Sequence, residues 1–124
     1  MSEVTVEIIS GGIDGTNADG PSYTPVVASL GNNGYRVAFV SEASNIASED
    51  TDTNADIYVY SFDLINFTGE MQVISVGVDN EPADGPSRNL AISANGRYVS
   101  FESDANNLVT NYYNNATDIF VHYL

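Results

Sequence analysis

Ser10-Gly-Gly-Ile-Asp-Gly-Thr-Asn-Ala-Asp-Gly-Pro-Ser22 returns further along the chain as Ser75-Val-Gly-Val-Asp-Asn-Glu-Pro-Ala-Asp-Gly-Pro-Ser87. The likeness continues on both sides. Arg36-Val-Ala-Phe-Val-Ser41 returns as Tyr98-Val-Ser-Phe-Glu-Ser103, and Asp56-Ile-Tyr-Val59 as Asp118-Ile-Phe-Val121. The offset is 65 residues at Ser22/Ser87 and 62 at Gly34/Gly96, so one short insertion lies before that turn, within Leu30-Gly-Asn-Asn-Gly34. A repeat of this length is one supersecondary unit that does not bury its core alone.

Each unit reads as four short strands. The β-rich runs are about 4–9 and 71–75, 25–29 and 90–93, 35–41 and 97–103, and 56–61 and 118–123. Val37, Phe39 and Ser41 fall on one face by alternation, with Val99, Phe101 and Ser103 as their equivalents. Asn33-Gly34 and Asn95-Gly96 read as two-residue hairpin turns, because Asn and Gly accept positive φ cheaply. No amphipathic helix is found. A generic β-sandwich is the alternative, and it requires no repeat.

The bulk numbers narrow the function classes. The chain is of single-domain length, 124 residues, read as one module with repeat 1 about 4–62 and repeat 2 about 69–124. It holds no Cys, which excludes disulfides, thiolate metal sites and Cys nucleophiles. It also holds no Lys, which removes Schiff-base chemistry and the P-loop lysine. A formal net charge of −14 argues against nucleic acid and against anionic membranes as partners. It suits metal cations, basic partners or a salt-rich habitat. Met1-Ser-Glu-Val-Thr5 has neither a basic n-region nor an apolar h-region, so no signal peptide is expected. A cytoplasmic protein and a piece excised from a secreted one fit equally well.

Pro25-Val-Val-Ala-Ser29 with Asn33-Gly-Tyr-Arg-Val-Ala-Phe-Val-Ser41, and Leu90-Ala-Ile-Ser-Ala-Asn-Gly-Arg-Tyr-Val-Ser-Phe-Glu-Ser103, resemble the TolB-like (WD-like) β-propeller repeat. The resemblance spans nearly the whole chain, and departs from the family where Asn33 and Asn95 replace a frequent Asp. It implies an all-β fold of two four-stranded blades in the order d-a-b-c-d-a-b-c. The first outer strand, Val4–Ile9, then lacks its blade, and the last blade lacks its outer strand. The expectation is that Val4–Ile9 of one chain pairs with Asp118–Tyr123 of its neighbour, a heterologous contact that closes a ring if the angle allows. The assembly seam would comprise Val4, Val6, Ile8, Ile119 and Val121. The family's common six blades favour a homotrimer, with a tetramer as another ring size. A fragment of a longer natural or engineered propeller explains the same cut.

Strand alternation places the d–a and b–c loops on one rim, where Asp14, Asp19, Asp79 and Asp84 gather with much of the remaining acidic charge. Asp19-Gly-Pro-Ser22 and Asp84-Gly-Pro-Ser87 are read first as turns: Asp accepts backbone N–H bonds, Gly supplies positive φ, and Pro sets the start of the strand. A repeated ligand-facing loop is the other reading. Asp50-Thr-Asp-Thr-Asn-Ala-Asp56 spaces oxygen ligands at alternate residues, like the opening of a calcium loop. Ala55 replaces the turn Gly, and Ser61 falls where the bidentate Glu belongs, so a self-capping loop is favoured. Asp50, Asp52, Asn54 and Asp56 form the candidate calcium site.

His122 is the only His and aligns with Tyr60, so a strand residue is expected and an Asp-His-Ser relay has little support. No nucleophile is nominated. The resulting expectation is a non-enzymatic propeller scaffold or binding module without a required cofactor, whose partner is itself. A calcium-dependent or carbohydrate-binding, lectin-like propeller is the alternative.

Overall fold

The computed structural model describes residues 6–47, 54–112 and 114–124. Seven strands follow in order: β1 (Ser22–Ser29), β2 (Gly34–Ser41), β3 (Asp56–Asp63), β4 (Thr68–Val73), β5 (Ser87–Ile92), β6 (Tyr98–Ser103) and β7 (Asp118–Tyr123). They form one four-stranded sheet, β1-β2-β3-β4, and one three-stranded sheet, β5-β6-β7. Every neighbouring pair is antiparallel, and sequence order is spatial order. Apart from two three-residue 3₁₀ turns, Gly31–Asn33 and Val78–Asn80, the described residues contain no helix. The chain is therefore all-β in two antiparallel sheets, and neither sheet closes on itself.

Period-2 alternation decides which side chains meet. In β2, Ala38 and Val40 point to one side of the first sheet and join Ile57 and Val59 of β3. From the second sheet, Leu90, Val99 and Phe101 complete this principal core, with Phe120 and Leu124 at its margin. On the opposite side of the first sheet, Phe39 and Tyr58 stack at 5.6 Å and pack with Ala43, Ile46 and Ala47, with Ile9 and Val37 beside them. The sheets are also tied by Arg36, whose Nη1 donates to Gly96 O at 2.8 Å while its Nε donates to Ser61 Oγ at 3.1 Å.

β1 and β5 carry the same irregularity. Pairing slips between Tyr23 and Val26 and between Arg88 and Ala91. At each slip one residue takes positive φ: Thr24 at 57° and Asn89 at 55°. These positions align in the repeat, and the inserted residue bends each strand as a bulge does.

Three expectations are corrected. The run at 4–9 is not a strand where it is described: residues 6–9 join no ladder, Ile9 lies in a bend, and Val4 lies outside the described residues. A strand needs a ladder partner for its N–H and C=O groups, and none of the seven described strands pairs with this segment. The Asn-Gly turns are not two-residue turns. The first loop runs through the 3₁₀ turn Gly31–Asn33, closed by Leu30 N–H donating to Gly34 O at 2.8 Å. In the second, Gly96 N–H donates to Ser93 O at 2.9 Å, and Asn95 Oδ1 accepts the Arg97 N–H at 3.1 Å. Positive φ falls on Gly31, Gly34 and Gly96, not on either Asn, because longer loops do not require two successive left-handed residues. The strand predicted at 25–29 begins earlier, at Ser22, because the bulge lets the chain join the ladder before Pro25.

Candidate functional site

Two regions gather the residues singled out by the sequence: the loop rim and the free edge of β7. At the rim, Asp19 Oδ1 accepts the Ser44 N–H at 2.7 Å, and Oδ2 accepts the Ser44 hydroxyl. Asp19 N–H donates to Asn45 Oδ1 at 3.0 Å, and Asn45 Nδ2 donates to Asn17 O at 2.9 Å. The aligned residues repeat this scheme. Asp84 Oδ1 accepts the Asn106 N–H at 2.6 Å, Asp84 N–H donates to Asn107 Oδ1 at 3.0 Å, and Asn107 Nδ2 donates to Pro82 O at 2.9 Å. The Ser44 hydroxyl and N–H hold the Asp19 carboxyl below its usual range. The two carboxylates organise their own loops, joining the loop before β1 to that after β2 and the loop before β5 to that after β6.

The rest of Asp-Gly-Pro-Ser is equally engaged. Ser22 and Ser87 donate to Ser41 and Ser103 at 2.8 and 2.9 Å. Those acceptor hydroxyls donate in turn to Pro21 O and Pro86 O, each at 3.2 Å. The glycine is needed for a different reason than expected. Gly20 and Gly85 do not have positive φ; each lies against backbone, and a Cβ on Gly85 would stand 3.0 Å from Ala105 N. Asp14 and Asp79 are exposed on the same loops. Asp79 takes the left-handed conformation at φ 60°.

Of the calcium-loop residues, Asp50 and Asp52 lie outside the described residues. Asn54 Nδ2 approaches Ala83 O at 3.5 Å. Asp56 is buried, and its Oδ1 accepts the Ser75 hydroxyl at 2.7 Å. The same Ser75 Oγ accepts the Ile57 N–H at 2.9 Å, and Ile74 N–H donates to Ile57 O at 2.9 Å. Ser75 thus caps the start of β3 with a side-chain rung. Among the described residues no three His, Cys, Asp or Glu side chains are grouped to hold a metal.

The free edge differs. β7 pairs only with β6 within its sheet. Ile119 and Val121 are 73 % and 53 % exposed, whereas their equivalents Ile57 and Val59 are 0 % and 1 % exposed. Val6 and Ile8 are also bare, at 94 % and 81 %. At the start of β7, Asp118 Oδ1 accepts Tyr112 OH at 3.2 Å and Asn114 Nδ2 at 3.1 Å. His122 is half-buried within β7, and burial lowers its pKa. An apolar groove on the outer side of the first sheet is lined by Ile9, Tyr23, Pro25, Val37 and Phe39 together with Ser10 and Ser22.

Sequence reasoning passed over the Ser75–Asp56 bond. Its signal was present, since Ser10/Ser75 and Asp56/Asp118 both recur, but nothing in spacing says that residues 19 apart touch. It also passed over Arg88, whose guanidinium grips Asp104 in bidentate fashion at 3.0 and 3.2 Å and holds that carboxyl below its usual range. Comparison of the chain with protein families, with curated proteins and with solved structures finds no match in any of the three.

Proposed function

We propose that the chain is a non-enzymatic scaffold of two propeller-type blades that completes its ring by associating with further copies of itself. The observation that carries this reading is the contrast between Ile57 and Val59, buried between the sheets, and the aligned Ile119 and Val121, which face solvent. Apolar β-branched side chains standing together on an open strand mark an interaction surface, and an unpaired edge beside them is a template for strand pairing. The first sheet with β4 corresponds to a complete a-b-c-d blade, and the second sheet to a blade without its outer strand.

Because the bare surfaces lie on different parts of the chain, the contact is head-to-tail, which generates a ring when its rotation closes. Two blades per chain and the six blades common in the resembled family favour a homotrimer. Light scattering across a concentration series tests this. The expected mass is three chains of 13.3 kDa each; a mass of one chain throughout would refute the proposal. The ring's channel and the acidic rim are the surfaces it would offer to a ligand.

A further inference from the structure

We infer that the open edge of β7 takes residues 6–10 of a second copy in the register that residues 71–75 hold on β3, with Ser10 Oγ donating to the Asp118 carboxylate. This rests on the self-association proposed above and names its joint.

The template lies within the chain. β4 pairs with β3 so that Val73 stands opposite Tyr58 and Met71 opposite Tyr60. The pairing ends in the Ser75–Asp56 bond at 2.7 Å and the Ile57 N–H on Ser75 Oγ at 2.9 Å. Transposing by the two repeat offsets puts Ile8 opposite Phe120 and Val6 opposite His122. Ile9 then takes the place of Ile74, and Ser10 that of Ser75. The strand positions Val6 and Ile8 stay apolar like Met71 and Val73, and the terminal Ser and Asp are unchanged. A carboxylate offers about four acceptor sites, so Asp118 accommodates Ser10 beside Tyr112 and Asn114.

The faces match as well. Ile9, Pro25, Val37 and Phe39 of the outer groove align with Ile74, Leu90, Val99 and Phe101. Those four are packed within the chain against Ala38, Val40, Ile57 and Val59. In the joint, Ile119 and Val121 of the neighbour fill the groove as Ile57 and Val59 fill its internal counterpart. Ser100 and Glu102 replace Ala38 and Val40, and Glu102 is held by Asn89 Nδ2 at 2.9 Å and by Arg88 Nε at 3.7 Å. The joint is therefore more polar than the internal contact and dissociates on dilution.

The partner segment comes from another copy. Ile9 packs on the outer side of the first sheet, and the loop after it is pinned there by Ile13 N–H donating to Asn45 O at 2.8 Å. β7 lies in the other sheet, across the core, so a chain does not pair its own segment without tearing that anchorage.

Because the chain has no native Cys, a Val6→Cys/His122→Cys variant reports the register by oxidation. Directly opposed residues on antiparallel strands satisfy disulfide geometry, and a pair two residues out of register does not. The expected result is rapid inter-chain crosslinking in this variant and little in Ile8→Cys/His122→Cys. Equal or reversed rates in chains that still associate by light scattering overturn the register while leaving self-association standing. A chain that stays monomeric at every concentration overturns the self-association itself. Ser10→Ala is expected to raise the dissociation constant of the assembly about tenfold. The same substitution in an Asp118→Ala background is expected to change it little. Equal losses in both backgrounds would show that these two side chains do not meet.

Discussion

Gly20 lies directly on the backbone of Ala43: a Cβ on the glycine would stand 2.9 Å from the Ala43 nitrogen. The approach lets Asp19 reach Ser44 and lets Pro21 O accept the Glu42 N–H at 2.9 Å. Backbone does not yield as the tip of a flexible side chain does. Gly20→Ala and Gly85→Ala are therefore each expected to destabilise the fold by about 1–3 kcal/mol. Gly11, whose added Cβ would meet only Ile8 at 3.9 Å, provides the comparison. Urea denaturation checks the contrast; equal midpoints for Gly20→Ala and Gly11→Ala would contradict it.

Aligned isoleucines are expected to respond oppositely. Ile57→Ala removes a buried core side chain and should cost about 2–5 kcal/mol of monomer stability. Ile119→Ala removes an exposed one and should leave the dilute monomer within about 0.5 kcal/mol of the parent. Only in concentrated solution should Ile119→Ala have an effect, as lost association. Thermal melts on dilute samples and light scattering on concentrated ones separate the two quantities.

Thr24 holds φ 57° at the β1 bulge, where the aligned position of β5 carries Asn89 at φ 55°. A β-branched residue tolerates the left-handed region poorly, and Asn tolerates it well. Thr24→Asn is expected to stabilise the chain by about 1 kcal/mol. A lowered urea midpoint would show that the Thr methyl contributes more than the backbone strain costs.

Acid should unfold the chain in two windows. Burial lowers the His122 pKa, so the unfolded state binds the extra proton first, and stability begins to fall as pH drops below the ordinary value of 6.5. Asp19, Asp63 and Asp104 have lowered pKa values, caused first by the hydrogen bonds from Ser44, Asn66 and Arg88 respectively. Their contribution is present above the ordinary value of 3.8 and is lost as pH falls through the lowered folded values. His122→Tyr, which installs the residue aligned at Tyr60, should flatten the upper window and leave the lower one unchanged. A pH series of urea midpoints reads both.

Much of the secondary structure was legible in the residues. Alternation in 35–41 and 97–103 foretold β2 and β6 within one residue at either end, and the run at 118–123 foretold β7. The hairpin loops were less legible. Asn33-Gly34 suits a two-residue turn locally, but Gly34 is a strand residue pressed against Phe62, a contact between positions far apart in the chain. The candidate site was legible as a set of recurring residues and not as a set of contacts. The Asp of Asp-Gly-Pro-Ser reads first as a turn residue, with a ligand role as the other reading, and spacing does not say that Ser44 and Asn106 stand on its oxygens.

By itself, the sequence determined the all-β class, because period-2 alternation and glycine-punctuated loops are properties of neighbouring residues. It also determined which positions are equivalent. Packing set the rest: Asp19 and Asp84 are occupied by the loops after β2 and β6, Ser75 caps β3 through Asp56, and Ile57 is covered while Ile119 is bare. The physical reason is that identical local patterns bury different surface according to which sheet lies beside them.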